Sequence, residues 1–413
     1  MKVFGRRSWM LLCLALIAAV TQAADSVTLP APPPLAPVER AALHGLAAGG
    51  YPGVVIVIGR RDTTLLERGY GHRDWSPASG AVDPQHTLYD LASLTKVVAT
   101  TTAAMVLYDR GQLDLDARVS RYLPGWKGAN GRSNVTVRDL LTHRSGLPAG
   151  RELWRVARTP AAARRAVLAT PLEFRPGSRF VYSDLGADVL GFVVEAIAHQ
   201  PLDVFLARNV YRPLGMRHTE FRPPTTMVSE VARTEAPGGR VLDRNAAVLG
   251  GVAGHAGLFA TAADLSVFSR MMLGGGSYRG VRIARASTVA LFTQRAEGTR
   301  ALGWDTCGGG ASCGQYMDPQ AFGHTGYTGT SIWIDPEHDL FVIVLANWAS
   351  GTPTHPTGPS AILADVRADV ADLAEAAVGP LDSAEHVPPP ELVALRSDGA
   401  RGWSRGSEGR SGW

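Results

Sequence analysis

Val54-Val55-Ile56-Val57-Ile58, early in the chain, is an unbroken run of β-branched residues. Branching at Cβ stiffens χ1 and suits a pleated strand, so the run is read as a strand. Thr64 to Tyr70 follows as a second strand after a turn at Arg61-Asp62. Near the other end Thr330 to Ile334 and Leu340 to Ala346 are strand-like, joined by the turn Asp335-Pro336-Glu337-His338-Asp339. An alanine-rich helical stretch covers about 360 to 377, and the middle of the chain is mostly helical. Helices are expected at Ser93 to Arg110, Val137 to His143, Leu185 to His199 and Ala262 to Leu273. The expected fold is α+β: an antiparallel sheet built from both chain ends, with flanking helices and a mostly helical region inserted between its halves. A site at the seam of the two regions follows from that arrangement.

The chain has 413 residues, 45% hydrophobic and 19% charged, with mean hydropathy +0.01. That excludes a wholly disordered chain. A formal net charge of +4 invites a nucleic-acid or membrane-surface partner. The excess lies at the ends: Lys2, Arg6 and Arg7 precede an apolar run from Trp9 to Val20, and the tail beyond Pro390 is arginine-rich. The body between is close to neutral, so no nucleic-acid partner is expected. Residues 1–23, with Thr21-Gln22-Ala23 at the end, read as a secretory signal peptide, and the apolar run is too short for a lasting membrane span. Residues 24–37 read as a proline-rich linker, 38–378 as the folded body and 379–413 as a disordered tail. A periplasmic or secreted protein is expected. Cys307 and Cys313 are spaced for a small local disulfide. No C-x-x-C or H-E-x-x-H pattern occurs, and neither a metal nor an organic cofactor is expected.

Arginine supplies almost all the positive charge; the lysines are Lys2, Lys96 and Lys127. Lys96 falls three residues after Ser93 in Ser93-Leu94-Thr95-Lys96, so on a helix the amine and hydroxyl share a face. Lysine can take a serine's proton if its surroundings lower its pKa, whereas arginine stays protonated. Tyr182-Ser183-Asp184 follows a turn and opens an apolar helix, with Asp184 a candidate N-cap; Tyr182 is a candidate proton relay. His324-Thr325-Gly326 precedes the Thr330 strand, where a sheet edge can hold an acyl substrate through its main chain.

In this order S-x-x-K, Y-S-D and H-T-G resemble the penicillin-binding-protein and β-lactamase superfamily of serine hydrolases, most closely its class C β-lactamase and D,D-peptidase-like branch. The stretches Leu140-Leu141-Thr142-His143-Arg144-Ser145-Gly146-Leu147-Pro148 and Gly250-Gly251-Val252-Ala253-Gly254-His255-Ala256-Gly257-Leu258-Phe259 extend the resemblance across the body. It implies that Ser93 is the acylated nucleophile, Lys96 its base and Tyr182 the proton carrier to the leaving group. It also implies an oxyanion hole of the Ser93 and Tyr327 backbone N–H groups, with Thr325 and Gly326 lining the substrate. Two positions depart from it. Asp184 stands where the β-lactamases commonly have Asn, and His324 where they have Lys. A histidine is mostly neutral at pH 7 and holds a carboxylate less firmly. Acyl-serine chemistry on a β-lactam, a D-alanyl peptide or a small ester is implied; a non-hydrolytic penicillin- or peptide-binding module is the alternative.

Gly310-Ala311-Ser312-Cys313-Gly314 matches a G-x-S-x-G elbow without the strand and helix that motif needs, so Ser312 is not expected to be catalytic. His255 reads equally as a site residue or a structural one, and His143 as structural. Trp333 and Trp348 read as core or rim aromatics.

Overall fold

A computed structural model describes residues 35–378 apart from 130, 237, 309–311 and 351–358. The expected signal peptide, most of the linker and the tail lie outside the described residues. Helix α1 (Ala36–Ala47) starts inside the expected linker, with Pro37 in its first turn, where a missing N–H costs nothing. Strands β1 (Gly53–Gly59) and β2 (Thr64–Gly71) follow. Two short strands come next, β3 (Tyr89–Asp90) and, far along the chain, β4 (Glu220–Phe221). Then come β5 (Leu258–Ala260), β6 (Asp305–Thr306), β7 (Phe322–Thr325), β8 (Thr330–Asp335) and β9 (Leu340–Ala346). Six of these form one antiparallel sheet in the order β2-β1-β9-β8-β7-β6, so the expected pairing of the two chain ends is present. Val57 sits opposite Ile343, and Ile343 opposite Ile332.

The central strands lack polar alternation because both faces of the sheet are covered. On one face Val54, Ile56, Ile58, Val342 and Val344 pack with α1 and with Leu363, Val366 and Val370 of the terminal helix Pro359–Val378. On the other, Val57, Ile332, Ile343 and Leu345 pack with Leu265, Phe268 and Met271 of helix Ala262–Leu273. Three further helices are α2 (Thr102–Asp109), α3 (Val137–Leu141) and α4 (Asp184–Ala198); the two just named are α5 (Ala262–Leu273) and α6 (Pro359–Val378). Where one helix from Ser93 was expected, residues Lys96–Thr101 form a π-helical segment that runs into α2. Ser183, not Asp184, caps α4: its Oγ accepts the Gly186 N–H at 3.0 Å and donates to the Pro148 carbonyl at 2.6 Å. Cys307 and Cys313 are joined in a disulfide. Ser312 Oγ accepts the Trp333 indole N–H at 3.1 Å, a structural role. Trp333 is a core residue. No single helix among the described residues is long and apolar enough to cross a membrane.

Ile56 is fully buried between the sheet and the terminal helices. Ile56→Ala removes three carbons from a face that cannot collapse around the gap, and is expected to cost about 2–5 kcal/mol. The measurement is urea unfolding: the midpoint falls while the m-value holds.

Candidate active site

The turn carrying Ser93 is built from its neighbours' main chain. Ala92 adopts a positive φ of 46°, and its N–H donates to Asp90 Oδ1 at 2.9 Å. Asp90 Oδ2 accepts the Leu242 N–H at 2.8 Å; burial pushes this carboxyl up to about 6. The turn is tied to the sheet through hydroxyls. Thr328 Oγ1 donates to the Asp90 carbonyl at 2.5 Å and Thr330 Oγ1 to the Leu91 carbonyl at 2.9 Å. Gly326 lies against the same carbonyl: a Cβ there would come 2.3 Å from Leu91 O and 2.1 Å from Thr330 Oγ1. This contact is the physical reason for glycine in His324-Thr325-Gly326. From behind, Arg367 of α6 donates to the Gly326 and Thr330 carbonyls at 2.9 and 2.8 Å.

Lys96 is 3% exposed. Its Nζ donates to Ser93 Oγ at 3.0 Å and to the His255 carbonyl at 3.2 Å, and lies 2.7 Å from Asp184 Oδ1. Burial alone would lower the lysine's pKa, but Asp184 and Tyr182 outweigh it and hold Lys96 above its ordinary value. Asp184 moves the other way. Burial raises it, Lys96 and His255 more than compensate, and the carboxyl stays below its usual range. The resting site therefore holds an ammonium–carboxylate pair with Ser93 Oγ as a third partner. Asp184 thus does not sit where it can only face substrate; it is the counter-ion of Lys96. The Tyr182 ring centroid is 4.9 Å from Lys96 Nζ.

Tyr182 is held between two histidines, with ring centroids 4.6 Å from His143 and 5.9 Å from His324. His143, read from sequence as structural, has its Nδ1 accepting the Ser183 N–H at 3.1 Å. Burial, then Arg300 and Lys96, push its pKa well below the usual histidine value, so the ring packed on Tyr182 is neutral. His324 is 3% exposed. Its Nδ1 lies 2.7 Å from the Thr325 carbonyl and, since a carbonyl only accepts, carries the proton. Burial, Arg300 and Lys96 push this imidazole down to about 3, and its Nε2 is buried without a hydrogen-bond partner. His324 is thus a neutral acceptor and not a cation for a carboxylate.

A cation is nevertheless present nearby, at a residue the sequence did not single out. Arg300 lies 5.4 Å from the Tyr182 ring centroid and 5.2 Å from that of Phe180. Its Nε pairs with Asp305 at 2.9 Å, while its Nη1 is buried without a hydrogen-bond partner. Arginine is so common in this chain that nothing local marks position 300. Tyr327 is 60% exposed, its ring packs edge-on against Trp348 at 5.0 Å, and the Trp348 indole N–H donates to its carbonyl. Among the described residues neither the Ser93 nor the Tyr327 backbone N–H donates to a protein acceptor. The structure thus brings Ser93, Lys96, Tyr182, Asp184 and His324 together, with Thr325, Gly326 and Tyr327 along one wall.

Residues 38–367 match the Beta-lactamase family. A Salmonella schwarzengrund protein with the provisional name D-alanyl-D-alanine carboxypeptidase is 33% identical over 341 residues, 72% of this chain and 79% of its own length. A penicillin-binding-protein homologue from Caulobacter crescentus has a similar structure, with TM-score 0.67 and 18% identity over 83% of this chain and 97% of its own. A class C β-lactamase from Rhodobacter sphaeroides is similar at TM-score 0.62 and 20% identity, over 81% and 98% of the two chains. A match across the whole sheet and the inserted helices, with the serine–lysine pair in contact, places this chain in the Beta-lactamase family of serine hydrolases.

Proposed function

We propose that the protein is a serine carboxypeptidase that forms an acyl-enzyme at Ser93 and prefers peptides ending in a free carboxylate, D-alanyl peptides above all. The observation that carries the reading is the 3.0 Å contact between Lys96 Nζ and Ser93 Oγ, with Asp184 at 2.7 Å behind it. In this mechanism Ser93 Oγ attacks the carbonyl carbon. Its proton moves to Lys96 as Lys96 passes one of its own to the Asp184 carboxylate. The oxyanion is met by the Ser93 and Tyr327 N–H groups, donors aimed at charge that develops only in the transition state. Collapse breaks the C–N bond, and the amine leaves with a proton returned through Tyr182. Water then attacks the acyl-enzyme, giving its proton to the same cluster, and Ser93 is released.

Substrate preference follows from where the positive charge lies. His324 is neutral, so the unpaired Nη1 of Arg300 takes the carboxylate, while His324 Nε2 accepts a substrate N–H. The provisional name of the Salmonella relative supports a peptidase. Hydrolysis of small esters is a second reading, supported by the same neutral His324, because an ester needs no cation. Export is also proposed, supported by the basic start, apolar run and Thr21-Gln22-Ala23 end of the first 23 residues.

Ser93→Ala is expected to lower turnover of a D-alanyl-D-alanine peptide by about 10^3-fold or more. Intact mass after exposure to a penicillin reads the acyl-enzyme directly; a folded protein that shows neither adduct nor turnover of peptide or ester refutes the reading. Arg300→Gln is expected to raise KM for the peptide by about 10- to 100-fold, the worth of a charged hydrogen bond. KM for an uncharged p-nitrophenyl ester should hold. His324 ring resonances are expected to stay constant from pH 8 to pH 5, since the ring gains its proton only near 3. Titration near pH 6.5 would return the carboxylate to His324 and remove it from Arg300.

A further inference from the structure

The ion pair at Lys96 continues inward through α4. Asp188 lies one helical turn beyond Asp184, so their carboxylates share a face of the helix. Asp184 pairs with Lys96; Asp188, fully buried, faces His255. Asp188 Oδ1 lies 2.7 Å from His255 Nδ1 and accepts the Gly254 N–H at 3.0 Å. The other ring nitrogen lies 3.0 Å from Asp243 Oδ1, which also accepts the Ala246 N–H at 2.7 Å as the cap of helix Arg244–Val248. A carboxylate only accepts, so an imidazole with a carboxylate on each nitrogen carries both protons. Burial opposes that charge, but Asp188, Asp243 and Asp184 outweigh it.

The same segment touches the proposed catalytic lysine through its main chain. The His255 carbonyl accepts from Lys96 Nζ at 3.2 Å, and the Gly254 carbonyl from Thr100 Oγ1 at 2.6 Å. Gly254 lies flush on α4, where a Cβ would come 2.1 Å from the Ala187 carbonyl oxygen. We propose that His255 is a positioning residue, an imidazolium clamped between Asp188 and Asp243 that fixes its own carbonyl on Lys96 and supplies the positive charge against which the Lys96–Asp184 pair exchanges its proton. The groups that set this field are Asp184 and Asp188 from α4, Lys96 from the nucleophile helix and Asp243 from the loop before Arg244–Val248. Asp90 is the next carboxyl out, and it feels the charge of Asp243.

The inference rests on the acyl-serine reading, and its test separates the two. The full chain is assayed on a p-nitrophenyl ester across pH as wild type, His255→Gln, Asp243→Asn and the double variant. Removing a cation beside a base raises the base's pKa, and removing an anion lowers it. The acid limb of kcat/KM should move up by about one pH unit in His255→Gln, lowering the rate on that limb about tenfold. It should move down in Asp243→Asn and return close to wild type in the double variant, where the two charges cancel. Single variants that lose rate without moving the limb, or that move it the same way, overturn the proposal and leave His255 a packing residue. Absence of any Ser93-dependent turnover in the wild type overturns the hydrolase reading itself, and the inference falls with it. Should His255→Gln fail to fold, the wild-type imidazole is read by nitrogen NMR: both ring nitrogens protonated from pH 5 to 8 supports the clamp, and a neutral ring overturns it.

Discussion

A charged amine buried to 3% exposure has to find its partners inside the protein, and at Lys96 this requirement organises the site. Its three contacts come from three separate stretches of chain: Ser93 from its own turn, Asp184 from the first turn of α4 and the His255 carbonyl from the loop before β5. Asp184 is favoured there twice over, by the ammonium and by the positive end of the helix it opens. Each contact fixes a backbone segment as well as a side chain. The Ser93 turn, the α4 terminus and the Gly254-His255 segment thus meet at a single cation, and the sheet reaches the turn through Thr328, Thr330 and Gly326.

Neutral and charged groups around the site are sorted by their partners. His143 and His324 are both buried and lie within the field of Arg300 and Lys96, so both stay neutral, each with one ring nitrogen bonded to a main-chain group. His255 has a carboxylate on each nitrogen and is driven the other way. Three buried histidines within one chain therefore take opposite charge states for reasons visible in their immediate contacts. A second cation, Arg300, lies 5.4 Å from the Tyr182 ring centroid.

Much of this was legible in the sequence where the determining contacts are local. The unbroken apolar runs from Val54 and Leu340 mark strands because burial on both faces removes any need for alternation. Ser93 and Lys96 are readable from their spacing, and Tyr182, Asp184 and His324 from the short motifs that hold them. What stayed hidden depends on distant partners. The cap of α4 could have been Ser183 or Asp184, both good capping types; Lys96, 88 residues away in the chain, decides it by taking Asp184. Asp188 and Asp243 gain their meaning only when folding brings His255 between them. Arg300 carries no local mark among so many arginines, and α1 begins within a proline-rich stretch that reads as linker.

The strand order carries a consequence for how the molecule comes into being. β1 leaves the ribosome early, yet its neighbours in the sheet are β2 and the very late β9. The backbone at Gly326 and Thr330 is gripped by Arg367, near the end of the described residues. A growing polypeptide can therefore close its helical region well before the sheet, and contacts of such long sequence separation form slowly. Ser93 and Lys96 thus precede by more than 220 residues the strands whose backbone packs against their turn. A chain cut short of Phe322 keeps Ser93 and Lys96 but lacks the Gly326 and Thr330 backbone that packs against their turn.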